Sequence, residues 1–113
     1  MVCRLKPDEP YPDWIPKGFS SITKTTDELS IVCKQLALEK VKCERGWRLI
    51  KVLGPLDFSE IGILSSLSSI LASAQISVFV ISTFDTDYLM IKKDKLAQAI
   101  NVLGKAGHEI LEG

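Results

Sequence analysis

Residues 47–113 predict an α+β domain of the ferredoxin-like kind, a βαββαβ half-sandwich in which two helices cover one side of an antiparallel sheet. Three observations predict it. Ile63, Leu64, Leu67, Ile70, Leu71 and Ala74 recur at the helical spacing of about 3.6 residues. Ile76 to Thr83 encloses the unbroken run Val78-Phe79-Val80-Ile81, the mark of a strand covered on both faces. Phe84 to Asp87 then turns the chain back into Tyr88 to Lys92, and Leu96, Ala99, Ile100 and Leu103 restore the helical period.

The totals bound the function. A chain of 113 residues, 46% hydrophobic and with zero formal net charge, is an ordinary globule with a modest core. It has no Lys/Arg run of the kind that binds a phosphate backbone, so no nucleic-acid partner is expected. The apolar run Ile76 to Ile81 falls far short of the roughly 20 residues a membrane span requires. A proline-rich, acidic stretch follows Met1 to Leu5 where a signal peptide would need an apolar one, so the expected location is cytoplasmic. Cys3, Cys33 and Cys43 are odd in number and widely spaced, which predicts reduced thiols. His108 is the sole histidine; with no matched nucleophile or second ligand it predicts neither catalysis nor a metal, and no cofactor is expected. Ser-His-Asp, Cys-His and phosphate-binding glycine patterns are also missing, so the chain reads as a non-enzyme.

The remaining elements follow in order. Val2 to Leu5 reads as a short strand. Pro7, Pro10, Pro12 and Pro16 surround Tyr11, Trp14 and Ile15, which predicts a packed loop with one short helical turn. Phe19 to Thr25 and Glu28 to Lys34 read as strands joined at Thr25-Thr26-Asp27, and residues 36–46 as mostly loop. Trp47 to Leu53 is a strand stopped by Gly54-Pro55. Asp57 as N-cap with Glu60 three residues on matches a capping box for the first helix. Its far face, Gly62, Ser65, Ser66, Ser69 and Ser73, is uncharged, which predicts close contact with another element or subunit. Asp94 is placed to cap the last helix, Gly107 to end it, and His108 to Leu111 to add a final short strand.

An internal echo sets the domain organisation. Phe19, Thr23, Thr26, Asp27, Leu29 and Ile31 recur as Phe79, Thr83, Thr86, Asp87, Leu89 and Ile91 at an offset of 60. Residues 1–46 therefore read as a shortened copy of 47–113, its first helix replaced by the proline-rich loop, the two packed together as one globule.

The residues SSITKTTDELSIVC, ERGWR, GPLDFSEIGILSSLSSILA, ISVFVISTFDTDYLMIK and AGHEI resemble the ACT-domain family, in particular stand-alone chains similar to the halves of the CASTOR-type cytosolic arginine sensors. The resemblance implies two tandem ACT-like units. It also implies a regulatory module that binds an amino acid or similar small effector where units meet, and that assembles as a homodimer.

Two stretches are candidate ligand contacts. Gly54, Pro55, Leu56, Asp57 and Phe58 lead into a helix start, where bare backbone N–H groups donate to a carboxylate; alternatively Asp57 satisfies those donors itself. Thr83, Phe84, Asp85, Thr86 and Asp87 form an acidic turn able to hold an ammonium or guanidinium; alternatively Asp and Thr only build the turn. In the 60-residue alignment Asp87 matches the turn-building Asp27, which leaves Asp85 as the stronger ligand candidate. The competing function is a ligand-free assembly module.

Overall fold

The computed structural model describes residues 1–53 and 62–111, arranged as two compact units, Met1–Gly46 and Trp47–Gly113. Both are built on antiparallel sheet, and the second carries two helices, so the α+β, ferredoxin-like expectation is borne out. No helix among the described residues is long and apolar enough to cross a membrane.

The first unit is a four-stranded sheet, β1 (Val2–Leu5), β2 (Ser20–Lys24), β3 (Leu29–Cys33) and β4 (Lys42–Glu44), in the order β2-β3-β1-β4. Alternation along β1 and β3 sends Cys3, Ile31 and Cys33 to one face, where they join Met1 in a buried cluster. The proline-rich loop covers that cluster with Trp14 and Ile15, while Tyr11 points to solvent. The loop contains turns and bends but no helix. Leu36, Leu38 and Val41 also pack against the cluster.

Residues 36–46 are mostly loop, as expected, apart from β4, which pairs with β1 across about 40 positions. That pairing sets Cys3 directly opposite Cys43, and the two form a disulfide with Cα atoms 4.1 Å apart. The expectation of three reduced thiols is overturned because wide spacing in sequence says nothing about register across a sheet. Cys33 remains the free cysteine, and it is buried.

The second unit is β5 (Trp47–Lys51), α1 (Ile63–Ser73), β6 (Phe79–Ser82), β7 (Asp87–Lys92) and α2 (Leu96–Lys105), with the sheet ordered β5-β7-β6. β5 and β6 are both antiparallel to β7, hence parallel to each other, with α1 as the crossover. Leu67 and Leu71 of α1, Ala99 and Leu103 of α2, and Leu89 and Ile91 of β7 form the core, joined by Ile76. Of the apolar residues expected inside, Ile100 lies at the rim, 36% exposed. The Gln98 side-chain amide donates to the Ala74 carbonyl at 3.4 Å, tying α2 to the end of α1.

The helix ends are built differently from expectation. Gly62, with φ +89°, precedes α1 in the left-handed region, and no side chain caps the helix. The expected capping box, Asp57 and Glu60, lies outside the described residues. Asp94 caps nothing; it sits inside a 3-10 turn, Lys93–Lys95, that feeds α2 directly. Gly107, with φ +97°, ends α2 as expected, and the His108 amide donates to the Leu103 carbonyl at 3.1 Å. His108 to Leu111 form no strand, so the second sheet has three strands among the described residues, not four.

The two sheets share one plan. β2-β3-β1 and β6-β7-β5 run in the same order, each with its second hairpin strand in the middle. The first unit completes the fourth strand and has no helix among its described residues; the second has both helices and lacks that strand among its own.

Candidate functional site

The site begins with the β6–β7 turn. Ser82 pairs with Asp87, leaving Thr83 to Thr86 as a four-residue turn. The Thr83 amide donates to the Thr86 carbonyl at 2.8 Å, and the Thr83 hydroxyl donates to the same oxygen at 3.0 Å. The Thr86 amide donates back to Thr83 Oγ1 at 3.3 Å. A threonine at the first position thus closes the turn with its own side chain.

The first unit repeats this arrangement. Thr25 donates from its amide (2.9 Å) and hydroxyl (3.4 Å) to the Glu28 carbonyl, and the Glu28 amide donates to Thr25 Oγ1 at 3.1 Å. Thr25 to Glu28 therefore corresponds to Thr83 to Thr86, an offset of 58 (83 less 25). The 60-residue alignment maximises identities but misplaces the turn by two residues. Because the error is even, it preserves which face each residue occupies, and for that reason it looks convincing.

The corrected offset changes which acid is explained. Asp27 now corresponds to Asp85, and Asp87 to Leu29, the first residue after the turn. Asp87 is held in place by Ser82, whose hydroxyl donates to its carboxylate at 2.6 Å. Asp85 is exposed and makes no hydrogen bond or ion pair among the described residues. The case for Asp85 consequently rests on its unpaired carboxylate, and the sequence argument that singled it out is withdrawn.

The turns differ at their last residue. In the first unit Glu28 pairs with Arg4 of β1 at 3.3 Å, and Arg4 also donates to the Asp27 carbonyl at 3.2 Å. In the second unit Thr86 stands in that place and is buried, its hydroxyl donating inward to the Val52 carbonyl at 2.5 Å. The Val52 amide completes the link by donating to the Asp87 carbonyl at 3.0 Å. These two bonds clamp the acidic turn to the segment that runs through Leu53 into Gly54. Gly54, Pro55, Leu56, Asp57 and Phe58 themselves lie outside the described residues. Around the clamp Phe84 is 80% exposed and Leu53 69%.

Replacing Thr86 by Val keeps the shape and strands the Val52 carbonyl. Thr86→Val is expected to cost about 1–3 kcal/mol in a denaturant titration. A cost indistinguishable from zero would mean that the clamp does not hold the turn.

Among the described residues, no cluster of three or more His, Cys, Asp or Glu side chains could hold a metal ion. The face of β5 and β7 away from the helices carries Trp47 with its ring edge-on to Phe79 at 6.1 Å and the Lys92 ammonium over it at 4.6 Å. Sequence reasoning gave Trp47 only as the first residue of a strand. Its indole N–H is buried with no acceptor among the described residues. The uncharged face of α1, with Ser65, Ser66, Ser69 and Ser73, is exposed in the single chain.

Comparison with known proteins follows the same division. Residues 42–105, more than half of the chain, match the profile of a family described as an ACT domain, and residues 1–38 match that of a separate N-terminal domain. The human protein "Cytosolic arginine sensor for mTORC1 subunit 1" is 40% identical over 58 residues, half of this chain, and the mouse protein of that name is 36% identical over the same length. The match covers only 18% of either sensor's length. The crystal structure of protein Atu0741 from Agobacterium tumefaciens is similar over 97% of this chain and 84% of that one, with a TM-score of 0.89 and 39% identity. VC0802 of Vibrio cholerae shares the fold at a TM-score of 0.67 and 19% identity, over 95% of this chain and 82% of that one.

Proposed function

Because this chain belongs to the ACT-domain family, we propose that it is a non-catalytic regulatory module that binds an amino acid and passes on its occupancy through an interface between ACT units. The observation that carries the reading is the clamp of Thr86 and Asp87 onto Val52. It ties the turn that carries the unpaired acid Asp85 to Val52, which precedes Gly54-Pro55 by two positions in the sequence. An α-amino acid needs both poles of such a site, N–H donors for its carboxylate and a carboxylate for its ammonium or guanidinium. Thr83 and Phe84 flank the acid, Thr86 and Asp87 hold the turn, and Gly54 to Phe58 supply the other pole. The name of the matched sensors supports arginine as the first ligand to try. A homodimeric protein is the natural setting. The mechanism is linkage: a ligand that prefers the associated state stabilises it.

A thermal-shift screen against the standard amino acids tests this. At ligand concentrations about a hundredfold above Kd, the stabilisation is about 2.7 kcal/mol. Asp85→Ala is expected to abolish the shift while leaving the unliganded melt unchanged, since Asp85 is exposed and unpaired. Failure of every amino acid to shift the melt at millimolar concentration would sink the sensor reading. A second reading, a ligand-free assembly module, draws on the exposed, uncharged face of α1.

A further inference from the structure

The two ends of the Cys3–Cys43 bond are unlike. Cys3 is 1% exposed, and the fully buried Ile31 stands directly opposite it on β3. Cys43 is only partly buried, and β4 is the last strand of its sheet, with none beyond it among the described residues. A thiolate that opens a disulfide must line up with the S–S bond behind the sulfur it attacks. Behind Cys3 stands β3; behind Cys43 lies the outer edge of the sheet.

The backbone leaves this rung to the sulfurs. The Cys33 amide donates to the Met1 carbonyl at 3.1 Å, and the Met1 amino group donates to the Cys33 carbonyl at 2.7 Å, so these two residues are a hydrogen-bonded pair. Such pairs alternate along an antiparallel ladder, so Cys3 turns its N–H and C=O toward Ile31. Cys3 and Cys43 are therefore a pair without backbone bonds, in keeping with their Cα separation of 4.1 Å. β4 is otherwise held to β1 by the pairs Val2–Glu44 and Arg4–Lys42. The chain after β4 has its own anchor. The Arg45 guanidinium donates twice to the Leu36 carbonyl, at 3.0 and 3.2 Å, and the Gly46 amide donates to the Gln35 side-chain oxygen at 3.0 Å. Residues 42–44 can thus leave β1 and return without the chain losing its place.

We propose that Cys43 is a thiolation site: a small thiol of the glutathione class attacks its Sγ, and Cys3 is the leaving group. The Cys43–thiol bond forms as the Cys3–Cys43 bond breaks. The electron pair stays on Cys3 Sγ, which takes up the proton that the incoming thiol gave up. One disulfide replaces another, so nothing beyond the thiol is consumed. Attack by Cys3 on the mixed disulfide expels the small thiol again when its concentration falls. Cys33 does not compete as the nucleophile, because burial holds its thiol protonated at neutral pH. What the site controls is β4. Residues 42–105 match the ACT profile, yet Lys42 to Glu44 pair in the first sheet, so the bond ties the start of that profile to β1 and thiolation unties it. The inference stands apart from the amino-acid site.

Incubating the oxidised full chain with reduced glutathione, quenching with acid and mapping the adduct by mass spectrometry tests it. Glutathione is expected on Cys43, with Cys3 free to alkylate, in excess over the reverse isomer by at least about tenfold. Cys3→Ala has no sulfur to expel the adduct, so after treatment with oxidised glutathione it is expected to keep glutathione on Cys43. Its Val2 and Arg4 amides are then expected to exchange faster than in the oxidised wild type, with the Ile31 amide unchanged. The wild-type map requires no variant to fold. Glutathione chiefly on Cys3 or Cys33, shared equally between Cys3 and Cys43, or absent until denaturant is added overturns the proposal. An adduct on Cys43 that leaves the Val2 and Arg4 amides as slow as before overturns the release of β4.

Discussion

Leu71→Ala is expected to remove about 3 kcal/mol from the second unit, within the roughly 2–5 kcal/mol range for deleting a buried leucine side chain. Leu71 is fully buried on α1, in the cluster with Leu89, Ile91, Ala99 and Leu103, so the truncation opens space under both helices. Its backbone carbonyl also accepts from Ala74 and Ile76, which constrains the chain leaving α1 and limits collapse into the gap. For a unit this small the loss corresponds to a melting temperature lower by roughly 15 °C. The measurement can be made specific to one unit because each holds one tryptophan, Trp14 and Trp47. In a Trp14→Phe background, Trp47 fluorescence reports the second unit through its contacts with Phe79 and Lys92. Ile100→Ala, at the rim, is expected to cost well under half as much. Equal losses for Leu71 and Ile100 would mean that the core is not where the helices meet β7.

Reduction of Cys3–Cys43 is the second large effect, and it belongs to the first unit. The bond closes a loop with a sequence separation of 40. In the chain-entropy account a loop of that length stabilises by roughly 3–4 kcal/mol, a large share for a unit without helices among its described residues. Paired Cys3→Ser and Cys43→Ser substitutions, or a dithiol reductant, are expected to lower the transition followed by Trp14, which packs on the cluster containing Cys3. Thiol titration after denaturation is expected to find one group per oxidised chain and three after reduction. Three thiols without reductant would show that the strands carry no bond. Cys33 supplies the one group of the oxidised chain. Burial pushes its thiol above the usual range, against a smaller opposing pull from the Met1 ammonium, so it stays protonated at neutral pH. The folded chain holds that proton more tightly than the unfolded one. Its contribution is therefore intact at neutral pH and is lost as pH climbs through the thiol range.

The parts of this fold that could be read in advance are those whose information is local. α1 and α2 show a helical period, β3 and β7 alternate or run apolar, and Gly107 sits where a left-handed residue ends a helix. What escaped depends on partners far away in the chain. Lys42-Cys43-Glu44 is a strand only because β1 lies beside it, and the same pairing creates the disulfide. Asp94 has the composition of a cap, but it lies inside the 3-10 turn and makes no cap hydrogen bond. At the candidate site the acidic turn was legible from Thr and Asp chemistry. The inward role of Thr86 was not, because its acceptor, Val52, lies 34 residues earlier. Counting identities favoured an offset of 60, whereas hydrogen bonds around Thr25 and Thr83 fix 58. The sequence comparison weighed side-chain names, and the turn is defined by backbone geometry.

The paired threonine turns also bear on how quickly each half can assemble. Hairpins closed over four residues form in about 1–10 μs, long before distant segments meet. β2–β3 and β6–β7 are such hairpins, and in both sheets the strand that inserts beside them arrives from far upstream. Each half is thus expected to start from a pre-formed ribbon whose Thr25 or Thr83 knot sets the register. The rate-limiting event is then the capture of β1 or β5, and weakening either knot would slow folding more than it speeds unfolding.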